Sequence, residues 1–458
     1  MRNRPRPAVL LLALAMASSA HALDLTETWR AAARHDPEFA AARAAHEAGR
    51  ARRDQAAALW RPTVVLEGGV ARAANESATR GARFAAPGFG TSAGVAFDTS
   101  VASGTAGRLA VALRQPLVDR DRDAQARQLD VAADLADAEW GAAQQALVLR
   151  AAERYFDVAL AAERLRLLVR QQSSVDRMVV EARDRYRLGD RPVTDTHEAG
   201  ARAASLAAQR LAAETDLAVK RAALADLAGV TPDDAAMRLP GPARDEALAP
   251  LDHWLAQAAM RNPELRRAEA QVRAADAGRR RTETALSPTL DLVARLARAR
   301  LSGSGDFGHA SHTVDDRAIG VQLAVPLYTG GMRSAQRAEA GANLEHARFA
   351  FERARQQVAL QVRAAWLDVS VGRSQEAALA AALTASAARL DATRTGLDAG
   401  DRTTQDLLDA ENDAQAADLA LAQARVRRLT ARLRLAALAG ELHEAALAQA
   451  DALLQAPR

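Results

Sequence analysis

"AIGVQLAVPLY", Ala318 to Tyr328, alternates strictly, and within ten residues of its end the period of the chain changes. Ile319, Val321, Leu323, Val325 and Leu327 face one way and Gly320, Gln322 and Ala324 the other, the pattern of a strand with one apolar face. From Ala335 to Leu397 there is no proline, glycine occurs only at Gly341, Gly372 and Gly396, and apolar residues follow helical spacing through Phe351, Val358, Val362, Trp366 and Val369. This stretch reads as one helix, and about 65 residues at about 1.5 Å each reach roughly 100 Å. No single globular domain is that long. The many alanines let neighbouring helices approach closely, as in a coiled-coil wall.

The same order occurs twice. "WRAAARHDPEF" (Trp29 to Phe39) matches "LAQAAMRNPEL" (Leu255 to Leu265), and "YFDVAL" (Tyr155 to Leu160) matches "WLDVSV" (Trp366 to Val371). The first offset is 226 and the second 211, so the first half carries extra residues between Pro62 and Tyr155. An internal repeat makes half the chain the structural unit. The expected organisation is repeat 1 over residues 23–235, a Pro-rich linker over 236–250 and repeat 2 over 251–458. "TLDLVARLARAR" (Thr289 to Arg300) pairs with the opening strand as a hairpin over about 289–327, the polar "LSGSGDFGHASHTVDDR" between them forming its loop. "TVVLEGGVAR" (Thr63 to Arg72) and "RLAVALRQPL" (Arg108 to Leu117) are the counterparts over about 63–117, with the extra residues in their Gly/Ser/Ala-rich loop.

Residues 1–22 read as a secretory signal peptide: Arg2, Arg4 and Arg6, the apolar "AVLLLALAMA", then "AHA" as a small-x-small cleavage site. The apolar run is about half of the roughly 20 residues a spanning helix needs. Removing it takes three arginines and no acid from a formal charge of +4, leaving about +1 with charges mixed throughout. Neither a basic block nor interleaved aromatics support a nucleic-acid partner. The absence of cysteine excludes disulfides, a thiol nucleophile and a Cys-ligated metal.

Each strand spans about ten residues with one apolar and one mixed face, the dimensions of a strand crossing an outer membrane. Four strands cannot close a barrel, and an open edge cannot face lipid. Several chains must therefore share one barrel. Of nine histidines only His309 and His312 come close together, without convergent acids of ligand spacing, and neither a nucleophile elbow nor a phosphate-cradling glycine loop occurs. No enzyme, catalytic residue, metal or cofactor is expected. "YFD" and "WLD" read as helix-packing positions.

"QPL" (Gln115 to Leu117), "VPLYTGG" (Val325 to Gly331) and the turns "YRLGDRPVTDTHEA" (Tyr186 to Ala199) and "LDAGDRTTQDLLDAENDAQAA" (Leu397 to Ala417), in this order and spacing, resemble the TolC-like outer-membrane channels of tripartite efflux pumps and type I secretion systems. The resemblance implies a mainly α fold with a small β part, in which a homotrimer forms a 12-stranded barrel in the outer membrane lipid and an α-helical barrel in the periplasm of a Gram-negative bacterium. It also implies a periplasmic adaptor and an inner-membrane transporter as partners. A periplasmic coiled-coil adaptor is the alternative, though adaptors carry soluble β-domains around one hairpin and would not repeat the whole unit.

In that family the two long-helix turns lie at the periplasmic tip and close the pore. Gly189 and Gly400 suit the left-handed backbone that ends a helix, and Thr194 and Thr403 or Thr404 are candidate caps of the returning helices. Asp406 and Asp409, three apart, share one face of a helical first turn, where they complement the dipole. The resemblance assigns Thr194, Asp195 and Arg402 to a latch between neighbouring hairpins, and Asp406 and Asp409 to the pore constriction. It departs at Leu397, where the family's prototype has a tyrosine.

Overall fold

A computed structural model describes residues 24–190, 192–233, 237–242, 247–284, 286–306 and 308–455, so the expected signal peptide lies outside the described residues. The chain forms two compact units. One comprises Met1–Ala44, Glu139–Arg266 and Arg353–Arg458; the other comprises Ala45–Ala138 and Arg267–Glu352. Each half of the chain starts with a short helix broken at an Asx–Pro pair. In the first half α1 (Leu25–His35) ends at Asp36 and α2 (Pro37–Ala58) follows; in the second α5 (Leu251–Arg261) ends at Asn262 and α6 (Pro263–Thr284) follows. Proline has no N–H to contribute and its fixed φ suits a first helical turn. Asp36 accepts from the Phe39 amide at 3.3 Å, and the Asn262 side chain accepts from the Leu265 amide at 3.0 Å.

The β unit is a four-stranded antiparallel sheet in the order β1 (Thr63–Ala86), β2 (Gly90–Asp119), β4 (Thr289–Gly305), β5 (Gly308–Ala324). These strands, of 24, 30, 17 and 17 residues, are longer than expected. Most of each stretch read as a loop is strand: Ser302 pairs Ser311 and Gly303 pairs Ala310 in the second hairpin, and the extra residues of the first half lengthen β1 and β2 around a turn at 87–89. Small polar residues carry no apolar alternation, yet a hairpin continues wherever its backbone can keep pairing. β5 ends at Ala324, so Val325–Tyr328, read as its end, lies outside the strand, while β2 runs two residues past Leu117. Glu67, Gly68 and Gly69, which break the apolar alternation of β1, keep the ladder intact by pairing with Ala110, Leu109 and Arg108.

Glycine sets the contact between the hairpins. A Cβ on Gly303 would lie 2.3 Å from the Gly104 Cα, and one on Gly305 would lie 2.0 Å from the Ser100 carbonyl oxygen, so no side chain fits there. Among the described residues the edges of β1 and β5 have no strand beside them. In the same unit α2 packs on the start of α3 (Arg120–Arg187) through small residues, with Gly49 against Ala136, and through Arg53, which donates to Asp134 at 2.9 Å and Asp137 at 2.7 Å.

The helical unit contains the rest of α3, α4 (Val193–Ala228), most of α7 (Met332–Ala399), α8 (Thr404–Leu438) and the terminal α9 (Glu444–Asp451). The expected helix 335–397 is α7, 68 residues without a break. The main core gathers Leu25, Val148, Tyr155, Phe156, Val158, Leu217, Leu224, Leu429, Leu433 and Leu447. Tyr155 and Trp366, equivalent in the two repeats, also fasten the joint between them. The Tyr155 hydroxyl accepts from the Arg238 amide at 3.0 Å, and the Trp366 indole donates to the Ala249 carbonyl at 3.0 Å. Burial pushes the Tyr155 phenol up to about 12, so it stays a neutral hydrogen-bonding group. Part of the joint is itself regular: β3 (Leu239–Pro240) pairs with β6 (Leu454–Gln455).

Candidate functional site

The two turns share one backbone design. α3 closes with the Gly189 amide donating to the Tyr186 carbonyl and the Asp190 amide to Arg185; α7 closes with the Gly400 amide donating to Leu397 and Asp401 to Gly396. Gly189 (φ +78°) and Gly400 (φ +84°) hold the left-handed positions that this ending requires.

The returning helices begin differently. α8 starts from Thr403, whose hydroxyl accepts from the Asp406 amide at 3.1 Å, while the Asp406 carboxylate accepts from the Thr403 amide at 3.0 Å and hydroxyl at 2.9 Å. This reciprocal arrangement satisfies two otherwise unpaired donors of the first turn. Thr404 is the first helical residue. α4 starts from Pro192, which offers no side-chain cap, and Thr194, expected as a cap, is instead the exposed second residue of the helix. The repeat offset explains the correction: Pro192 occupies the place of Thr403, and Asp195 that of Asp406. With no hydroxyl at the cap, no hydrogen bond among the described residues engages the Asp195 carboxylate.

Asp406 is held charged. The Thr403 amide and hydroxyl, with Arg402 and Arg389 nearby, keep its carboxyl below the usual Asp range. Asp409 is exposed one turn on and accepts from the Gln405 side chain at 3.0 Å. Arg402 is exposed, its amide donating to the Gly396 carbonyl at 3.2 Å. Among the described residues no hydrogen bond or ion pair within the chain joins Arg402 to Thr194 or Asp195.

A residue the sequence reading passed over sits just behind the acids. Glu411 is buried, and its Oε1 accepts from the Ser174 hydroxyl of α3 at 2.8 Å and from Arg394 of α7 at 3.0 Å, while Oε2 has no partner. Three residues earlier Leu408 is buried among Val175, Val179, Ala199 and Leu206 of α3 and α4. One residue later Asn412 accepts from Arg202 of α4 at 2.6 Å. One face of α8 thus docks the α7/α8 hairpin onto the α3/α4 hairpin. The signal was the i, i+3 spacing of Leu408 and Glu411.

His309 and His312 lie three apart on β5, which puts them on opposite faces of a strand, and His309 meets Ser302 at 3.4 Å. Among the described residues no group of three or more His, Asp or Glu could hold a metal ion, and no helix is long and apolar enough to cross a membrane.

The repeated unit of sheet hairpin, two long helices and helix-ending turn defines the protein as one of the outer-membrane export channels. The model of the family described as "Outer membrane efflux protein" matches residues 29–230 and 254–441, and the chain belongs to that family. It is 28% identical over 442 residues to the alkaline protease secretion protein AprF of Pseudomonas aeruginosa, spanning 95% of this chain and 88% of that one. It is also 28% identical over 334 residues to the outer membrane protein TolC of Escherichia coli, spanning 71% and 68%. Among solved structures, the CmeC outer membrane channel of Campylobacter jejuni superposes with a TM-score of 0.72 at 15% identity, covering 93% of this chain and 89% of that one. The open state of the MtrE outer membrane channel of Neisseria gonorrhoeae superposes with a TM-score of 0.68 at 20% identity, covering 93% and 94%. The expected resemblance, fold class, outer-membrane location and channel role therefore stand, and the adaptor alternative is set aside.

Proposed function

We propose that three copies of this chain close a 12-stranded barrel in the outer membrane and form a passive export duct whose periplasmic tip is gated by the two unequal turns. The observation that carries this reading is the four-stranded sheet with both edges open, which lipid tolerates only when other strands complete it. Relatives named for efflux and for protease secretion support an adaptor and an inner-membrane transporter as partners, with either small molecules or polypeptides as cargo. At the tip, the exposed Arg402 of one hairpin would meet Thr194 and Asp195 of a neighbouring copy, side chains that make no hydrogen bond or ion pair among the described residues. Asp406 and Asp409 would then ring the narrowest part of the lumen. The domain limits 23–235, 236–250 and 251–458 belong to the same reading, the linker joining two copies of one wall unit. Arg402→Glu puts like charges across the latch, and single-channel recording in planar bilayers should show a higher resting conductance than the parent protein. An unchanged resting conductance would remove the latch from the reading.

A further inference from the structure

The two faces of the sheet differ, and the register makes the difference quantitative. Residues directly opposite across a ladder share a face, so Val64, Leu113, Ala294 and Ile319 form one row, and Leu66, Val111, Leu296 and Arg317 the next. Further from the helices come Gly68, Leu109, Arg298 and Asp315, then Val70, Gly107, Arg300 and Thr313, then Arg72, Thr105 and Ser302. Going away from the helices, the last apolar residue on this face is Val70 in β1, Leu109 in β2, Leu296 in β4 and Ile319 in β5, and the next on the face are Arg72, Gly107, Arg298 and Arg317. The boundary therefore slips by two residues from each strand to the next.

A constant slip is what a level boundary looks like on tilted strands. Restored to one level, Val70, Leu109, Leu296 and Ile319 form the last apolar rank, all four exposed, and immediately beyond it stand Arg72 on β1 and Arg298 and Arg317 on the adjacent β4 and β5, with Gly107 of β2 between the first and the pair. Arg300 lies one step further out. The opposite face carries the Arg114–Asp291 ion pair (2.5 Å) beside Ala112, Val293 and Gln322, at the level of the apolar ranks. The apolar face is therefore the lipid side. The acid on the belt's own face is Asp315, which accepts from Arg298 at 2.6 and 2.9 Å. Among the described residues Arg72, Arg300 and Arg317 make no ion pair. The belt lies on the side of the apolar ranks away from the helices, which in an outer-membrane channel is the outer leaflet.

We propose that Arg72, Arg298 and Arg317 form a belt that binds the phosphate groups of the phosphorylated glycolipid of the outer leaflet. Guanidinium matches phosphate bidentately and needs no bridging divalent cation. The cations sit where acyl chains end and phosphates begin, so one amphiphile satisfies the last apolar rank and the belt together. The inference rests on the sheet being the wall of an outer-membrane barrel.

Native mass spectrometry of the full-length protein in detergent, titrated with bisphosphorylated lipid A or its enzymatically dephosphorylated form, tests it. Retained adducts are expected for the phosphorylated lipid alone. Each arginine is worth roughly fivefold in affinity for an anionic lipid surface, so the triple variant R72Q/R298Q/R317Q should bind about a hundredfold more weakly. Equal binding of the dephosphorylated lipid, or displacement of lipid A by millimolar inorganic phosphate, overturns the proposal. So does undiminished binding by the triple variant; should that variant misfold, the comparison of the two lipids on the parent protein still decides. Carbonate extraction run in parallel separates the two failures: a protein that washes off membranes refutes the barrel, whereas one that stays embedded yet ignores the phosphates refutes only the belt.

Discussion

At the scale of single residues, two aspartates in repeat-equivalent places have different fates because of one neighbour. Thr403 gives Asp406 a hydroxyl and an amide to bind, and Pro192 gives Asp195 neither. Asp406 is thereby fixed and charged at the start of its own helix, while among the described residues no cap contact holds Asp195. Because its folded-state carboxyl lies below the ordinary value of 3.8, the capping contribution is fully present above that value and is lost only as the pH falls through the depressed one. The share of any cation preference that Asp406 supplies should therefore survive acidification through the ordinary Asp value of 3.8 and fade only below it. Asp406→Asn with Asp409→Asn should abolish the preference at neutral pH, since three copies no longer concentrate negative potential in the lumen. Reversal potentials in asymmetric salt measure both; a double variant as cation-selective as the parent would exclude these carboxylates from the constriction.

At the scale of elements, the α8 face formed by Leu408, Glu411 and Asn412 fastens one helical hairpin to the other. Glu411 keeps an unpartnered oxygen in a buried place, so its remaining donors matter more than exposed ion pairs do. Ser174→Ala should loosen the docking by roughly 1–3 kcal/mol, seen as faster hydrogen exchange of the amides from Leu407 to Ala410. Exchange at the parent rate would mean that Arg394 alone holds the carboxylate. The sheet yields a sharper contrast. Val321 stands on the apolar face and Gln322 on the other, so Val321→Arg should cost about 2–4 kcal/mol of barrel stability and Gln322→Arg little, read from the temperature at which the heat-modifiable band is lost. The faces were legible in the sequence because alternation at Ile319, Val321 and Leu323 is local, as was the long helix from Ala335 to Leu397. Strand ends were not, because Ser302 or Thr313 pairs through its backbone whatever its side chain. Nor was the docking of Glu411 onto Ser174, a contact between residues 237 apart that no local pattern encodes.

At the scale of the whole molecule, the two-residue slip per strand also fixes how copies should meet. β1 and β2 antiparallel, then β4 and β5, leave β5 of one copy free to pair antiparallel with β1 of the next. If the level boundary is to continue unbroken around the barrel, the row beside Val321 in the neighbouring β1 is that of Val70, and the row beside Gly320 is that of Ala71. A chain without native cysteine allows this to be read directly. Disulfide geometry tolerates Cα separations of roughly 4.4–6.8 Å, which a directly opposed pair satisfies and a pair displaced by two residues does not. Gly320→Cys combined with Ala71→Cys should give oxidised product at three times the chain mass on non-reducing gels, whereas moving the β1 cysteine to Glu67 should give none. A ladder extending past three copies would refute the closed trimer. Efficient cross-linking at Glu67 instead of Ala71 would keep the trimer but refute the level boundary, and with it the alignment of Arg72, Arg298 and Arg317 on which the phosphate belt depends.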